Sequence, residues 1–210
     1  MTNSPTNSVL PGGYLDLVQS GLDANLPAAA NVANALNRTQ FYYAADTQIM
    51  YHYDPVTNAW RGVAIPGQAI AVGAALTAKA NVNGLSYKLD TASGSTLTLP
   101  AAKGTGLTLT AYVKTLITSG AHKILTSPIT DKLIGKALGV TASTGAVLGF
   151  QSALATSNHS IQMPFAGTQP SGGLEGDIFN FTDVEAGVWL VEAVFQSGTT
   201  PTTPFSTATT

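Results

Sequence analysis

The segment Gly172-Gly-Leu-Glu-Gly-Asp-Ile-Phe-Asn-Phe-Thr-Asp-Val-Glu-Ala-Gly-Val-Trp-Leu-Val-Glu-Ala-Val-Phe195 limits the fold more than any other part of this sequence. A glycine turn leads into one alternating run, Asp183-Val-Glu-Ala-Gly187 turns the chain, and a second run carries Val188, Leu190 and Val194. Period-two runs on either side of a short turn make a β-hairpin. A closing hairpin of this kind predicts an all-β body. Neither arm carries a constellation of groups that could do chemistry.

Upstream, strands are predicted at 85–89, 95–99, 107–117 and 122–126, and shorter ones near 147–150 and 160–163, each bounded by Gly, Pro or Ser. Their spacing predicts an antiparallel β-sandwich or barrel over residues 67–210. Residues 68–80 are small and apolar and fit either a strand or a packed helical turn, while Lys132 to Leu138 reads as one helical turn. No repeat of fixed period is visible, so a solenoid is not expected. The tail over 199–210 is polar and twice interrupted by proline, and is expected to follow a partner's surface or to fray.

Residues 38–66 read as a small β-meander. Tyr51 and Tyr53 share one strand face, Met50 and His52 the other, and Asp54-Pro55 with Thr57-Asn58 forms the turn. Two readings fit Tyr42, Tyr43, Tyr51, Tyr53 and Trp60: the core of the meander, or an exposed face for protein contact or sugar stacking. Residues 1–37 are too interrupted by Pro and Gly for a regular core element and too apolar for an inert linker. They are expected to form an extended N-terminal arm, with a short helix possible over Ala28 to Leu36. The residues chosen as partner-binding are Tyr14, Leu15, Leu17 and Val18 on the arm and Tyr51, Tyr53 and Trp60 on the meander.

Charged side chains make up 10% of the chain, against about 25% in ordinary domains, and the net charge is -2. A neutral Thr, Ser, Asn and Gly surface packs against neighbours without desolvating many ions. Without a basic stripe no nucleic-acid partner is expected, and without a run of about 18 apolar residues no membrane helix is expected. The opening residues lack a signal peptide's basic and apolar regions, so synthesis in a cytoplasm is expected. With no cysteine, thiolate metal sites are excluded.

His52, His122 and His159 are too scattered for a zinc pair. The acidic group Glu175, Asp177, Asp183, Glu185 and Glu192 raises a calcium site or a glycosidase pair, but turn and edge roles suit it better. No Gly-x-Ser-x-Gly elbow occurs, and Gly104-Thr-Gly106 lacks the third glycine of a dinucleotide cradle. No catalytic residue, cofactor or metal is assigned, and the chain is not expected to be an enzyme.

Three stretches, Ser95-Thr-Leu-Thr-Leu-Pro100, Gly104-Thr-Gly-Leu-Thr-Leu-Thr-Ala-Tyr-Val113, and Gly172 through Gly187-Val-Trp189 to Thr203-Pro-Phe-Ser206, resemble a module of tailed-bacteriophage virion proteins. Those proteins are small capsid decoration (cement) or head-fibre proteins. The meander, with its Tyr-x-Tyr-Asp turn before Ala59-Trp60, is similar to aromatic hairpin units of phage fibre and head proteins. The resemblance covers roughly residues 39–206. It implies a β-sandwich or barrel module, commonly trimeric and without catalytic residues, on the capsid surface of a virion assembled in a bacterial host. The expected partner is the major capsid protein. The alternative is a head or tail fibre that binds a host receptor or glycan.

Overall fold

The computed structural model describes residues 18–21, 24, 26, 41–45, 47, 49–54, 56–64, 69–152, 158–164, 172–198 and 200–208. Their regular structure is all β, with strands numbered β1 to β17 in chain order and no α-helix among the described residues. The helix expected over Ala28 to Leu36 and the arm residues Tyr14, Leu15 and Leu17 lie outside the described residues. The chain divides into two compact units, Met1–Gln68 with Asn81–Asn83, and Ala69–Ala80 with Gly84–Thr210.

In the first unit β1 (Val18–Gly21), β2 (Phe41–Ala44), β3 (Ile49–Asp54), β4 (Ala59–Ala64) and β7 (Val82–Asn83) form one sheet in that order. The predicted meander is its antiparallel centre. β1 adds in parallel with Val18 opposite Phe41, so Val18 belongs to a strand of this sheet. The turn after β3 is fixed by the Asp54 carboxylate, which accepts the Val56 N–H at 2.9 Å, the Thr57 hydroxyl at 2.8 Å and the Arg61 Nε–H at 2.9 Å. The Thr57 hydroxyl leads the donors that hold the Asp54 carboxyl down at about 2. Asn58 takes the left-handed φ of 52° that the turn requires.

Alternation along β3 buries Ile49, Tyr51 and Tyr53 on one face, and Tyr42, Trp60 and Val82 are buried beside them. Trp60 meets Tyr53 edge-on at 5.7 Å and Tyr42 at 6.5 Å. A Cβ at Gly62 would stand 2.8 Å from Tyr51 Cε1 and 2.7 Å from Val82 Cγ2, so the ring lies over a glycine that leaves it room. Tyr51, Tyr53 and Trp60 keep only 4%, 4% and 7% of their surface exposed. They are the core of this sheet, which corrects their assignment as a contact face.

The second unit has two sheets. One runs β13 (Val147–Gln151), β12 (Lys132–Thr141), β16 (Val188–Ser197), β15 (Ile178–Glu185), β10 (Thr108–Val113), β8 (Leu85–Leu89) and β5 (Ala69–Ala71). The other runs β17 (Phe205–Ser206), β14 (Ser160–Pro164), β11 (Ala121–Leu125), β9 (Thr96–Thr98) and β6 (Ala75–Thr77). Each buries one face: Tyr87, Ala111, Phe179, Phe181, Trp189 and Phe195 from the first, Leu97, Ile124, Ile161 and Met163 from the second. Gly172 touches both layers, since a Cβ there would meet Met163 Cγ at 2.9 Å and Phe195 Cδ2 at 3.4 Å.

The sheets are mixed, where purely antiparallel pairing was expected. β5, β8 and β10 run parallel in one sheet, and β6, β9 and β11 run parallel in the other. The chain therefore begins this unit as three rungs, each with one strand in either layer. Register separates the rungs by 17 residues (Ala69 to Ser86) and then 24 (Ser86 to Thr110), so no fixed period marks them in the sequence. Lys132 to Leu138, predicted as a helical turn, opens β12, which pairs in parallel with β16 over ten residues from Lys132↔Val188 to Thr141↔Ser197. The tail is also corrected. Phe205 pairs with Ile161 and is 8% exposed, and the Gln162 N–H donates to the Pro204 carbonyl at 2.9 Å, so residues 201–208 close the smaller sheet of their own chain.

Candidate interaction surface

Alternation turns Phe179, Trp189, Val191, Leu133 and Ala137 into the core, which leaves the intervening positions of β15, β16 and β12 pointing outward. Register sets them in rows. Tyr112 stands opposite Ile178, Ile178 opposite Val194, Val194 opposite Leu138, and Leu138 opposite Gly149. Ile178, Val194 and Leu138 are 38%, 46% and 46% exposed, so an apolar stripe crosses three adjacent strands on the solvent side. The adjacent row is polar and satisfied: the Thr110 hydroxyl donates to Asn180 Oδ1 at 2.8 Å, and Lys136 Nζ pairs with Glu192 at 3.2 Å.

Between β13, β12 and β16 the face hollows into an open groove of about 690 Å³, walled by Ile134, Lys136, Leu138, Gly149 and Leu190. Gly135 shapes its floor. Its φ is +139°, and a Cβ there would lie 2.0 Å from the Val191 carbonyl oxygen, so the two main chains touch where only glycine fits. Ser152 fastens the same point, accepting the Gly135 N–H on its Oγ at 2.9 Å and donating its own N–H to the Gly135 carbonyl at 3.0 Å. Covering the exposed remainder of Ile178, Val194 and Leu138 is worth on the order of 1 kcal/mol each. The surface suits a protein partner.

No protein-family model matches this chain, and no curated protein matches it either.

The acidic group raised from the sequence is structural where it is buried. Asp183 accepts the N–H groups of Lys103, Gly104 and Thr105 at 2.9, 2.7 and 3.0 Å and the Thr105 hydroxyl at 2.8 Å. Burial pushes its carboxyl up, but these donors outweigh burial and hold it below the ordinary range. Asp177 accepts the Gly173, Leu174 and Gln196 N–H groups at 2.8, 3.1 and 2.7 Å, tying the loop before β15 to β16. Burial pushes Asp177 up to about 6 against the pull of those donors. Asp177 spends its lone pairs on main-chain N–H groups and Asp183 on main-chain N–H groups and the Thr105 hydroxyl, and among the described residues no three His, Asp or Glu side chains gather as metal ligands.

His122 is fully buried in β11. Its Nδ1 accepts the Ser95 N–H at 3.0 Å, which places the ring proton on Nε2, facing the Thr115 carbonyl at 3.2 Å. Burial lowers its pKa, against the Thr115 hydrogen bond and the Asp90 charge. His159 Nδ1 lies 3.0 Å from the Asp131 carbonyl oxygen.

Of the residues chosen as partner-binding, the three meander aromatics are core and Val18 lies in β1; the other three fall outside the described residues. The outward stripe was missed. Its one sequence signal was the apolar residues at both odd and even positions of 132–141 and 188–197. A strand that shows this pattern carries apolar groups on two faces.

Proposed function

We propose that this protein is a virion structural protein, a capsid decoration protein that binds the major capsid protein shell and stabilises it as a homo-oligomer, for which the resemblance implies a trimer. The observation that carries this reading is the exposed Ile178, Val194 and Leu138 stripe on the outer face of the seven-stranded sheet, in a chain with few charges. An apolar centre within a neutral polar rim is the composition of a protein interface. Repeated by the symmetry of a shell, a contact of modest affinity holds through many copies at once. The work is done by adhesion. The aromatic face that motivated a glycan-binding fibre is buried at Tyr51, Tyr53 and Trp60, so it does not support that alternative.

The test adds purified protein to shells isolated from a strain deleted for its gene and follows co-sedimentation and heat release of DNA. Wild type is expected to bind and to raise the temperature of release. Val194→Glu and Leu138→Glu are expected to stay folded, because both positions face solvent, and to lose binding. Full binding by both variants would remove the stripe from the interface. No binding by wild type, with adsorption to host cells instead, would replace the decoration reading by the fibre reading.

A further inference from the structure

We infer that β13 is a self-pairing edge, at which a second copy of this chain adds its own β13 in antiparallel register centred on Gly149. The inference rests on the edges of the two sheets and stands independently of the capsid reading. Among the described residues, three of the four edges in this unit are short: β5 and β6 have three residues each and β17 has two. Short edges present little main chain to a neighbour. β13 differs. It has five residues, Val147-Leu-Gly-Phe-Gln151, with no charge and no proline to blunt it.

The exposure of this strand is two-sided. Residues 142–149 are all exposed, and Val147 and Leu148 keep 58% and 41% of their surface in water. Leu148 stands opposite Gly139, an inward position, so an inward-facing leucine extends past the cover of the smaller sheet. Phe150, two residues on, packs against Phe195 with ring centroids 5.9 Å apart and so marks where the core ends. The hairpin that carries the edge is held by its own turn, through Thr141 N–H to Ala146 O and Gly145 N–H to Thr141 O, both at 2.8 Å.

The strand is complementary to itself. About a two-fold axis at Gly149, Leu148 of one copy faces Phe150 of the other on the inward side, an aliphatic–aromatic cross-strand pair that continues the core. On the outward side Val147 faces Gln151, and the glycines meet at the axis where side chains would crowd. No like charges oppose each other in this register. An isologous pair of this kind is closed by its symmetry and does not propagate into a fibre.

Gly149 gives a test that leaves the monomer intact, because a Cβ there meets nothing nearer than Leu138 Cδ2 at 3.9 Å. The full chain is measured by sedimentation equilibrium as wild type, Gly149→Lys, Gly149→Asp, and the two variants mixed. Wild type is expected at an even number of chains, which is six where the two-fold edge joins two of the trimers that the resemblance implies. Each single variant is expected at half the wild-type mass, since like charges then face each other across the axis, and the mixture is expected to recover the wild-type mass. Gly149→Cys, in a chain with no other cysteine, is expected to give a disulfide-linked dimer on mild oxidation, because directly opposed antiparallel Cα atoms lie about 4.5 to 5.5 Å apart. Val56→Cys, at a turn residue 91% exposed, is expected to stay unlinked. A wild-type mass of one chain, or any assembly whose mass and cross-linking ignore residue 149, would overturn the inference.

Discussion

Thr105 is bound twice to Asp183, through its N–H at 3.0 Å and its hydroxyl at 2.8 Å, both on Oδ2. With Lys103 and Gly104 on the same carboxylate, one side chain of β15 organises the whole loop before β10. Asp183→Asn turns an acceptor toward these donors into an amide N–H₂ and is expected to cost about 2 to 3 kcal/mol in urea unfolding. Thr105→Val keeps the main-chain contact and is expected to cost about 1 kcal/mol. Because the folded Asp183 value lies below its unfolded one, its contribution is present above about pH 4 and is lost as pH falls. Equal costs for the two variants would show that the loop does not depend on the carboxylate.

Asp177 and His122 pull stability in opposite directions with pH. Asp177 is raised from 3.8 to about 6 in the folded chain, so its contribution is complete below about pH 4 and is lost as pH rises through 6. His122 is lowered from 6.5, so its contribution is complete above about pH 6.5 and is lost as pH falls. Going from pH 5 to pH 7, Asp177→Asn is expected to gain more in Tm than wild type, and His122→Gln to gain less or to fall. Parallel Tm profiles for all three proteins would refute both assignments.

Gly135 and Gly149 lie in adjacent strands and differ in what a methyl group would meet. Gly135→Ala sets a Cβ 2.0 Å from the Val191 carbonyl oxygen at a φ of +139°, and is expected to cost more than about 3 kcal/mol or to prevent folding. Gly149→Ala meets Leu138 at 3.9 Å and is expected to change stability by less than about 1 kcal/mol. Thermal unfolding of the pair decides whether the close approach of β12 and β16 is as tight as described.

Trp60→Ala removes an indole that is 7% exposed and edge-on to two tyrosines. The cavity is expected to cost about 3 to 5 kcal/mol, with loss of the near-ultraviolet circular dichroism of the aromatic cluster. A cost under about 1 kcal/mol would return the ring to the surface.

The strands that bury one face were legible in the sequence, because their alternation is visible residue by residue. Leu85, Tyr87 and Leu89 alternate with Ser86 and Lys88, and the strand lies where the pattern puts it. β12 was not legible. Ile134 and Leu138 on its outer face sit four residues apart, as do Leu133 and Ala137 on its inner face, and this spacing imitates a helical turn. The tail was misread because its attachment is through main-chain groups of Pro204 and Ser206, which composition does not reveal. Pairing partners were invisible too, since nothing local tells β10 that its parallel neighbour is β8 and its antiparallel one β15. The site suffered most: aromatic residues in the meander invited a surface role, while the outward stripe is built from ordinary valine, leucine and isoleucine that only the register brings into line.

The three rungs that begin the second unit send the chain back and forth between the layers before either sheet has its full set of strands. Neither layer is a contiguous piece of sequence, so neither can be peeled away, cut out or swapped with a neighbour while the other persists. A pull applied to one sheet is handed to the other at every crossing. A unit wound in this way is expected to come apart in a single step, as a lashing does when each turn locks the one beneath it.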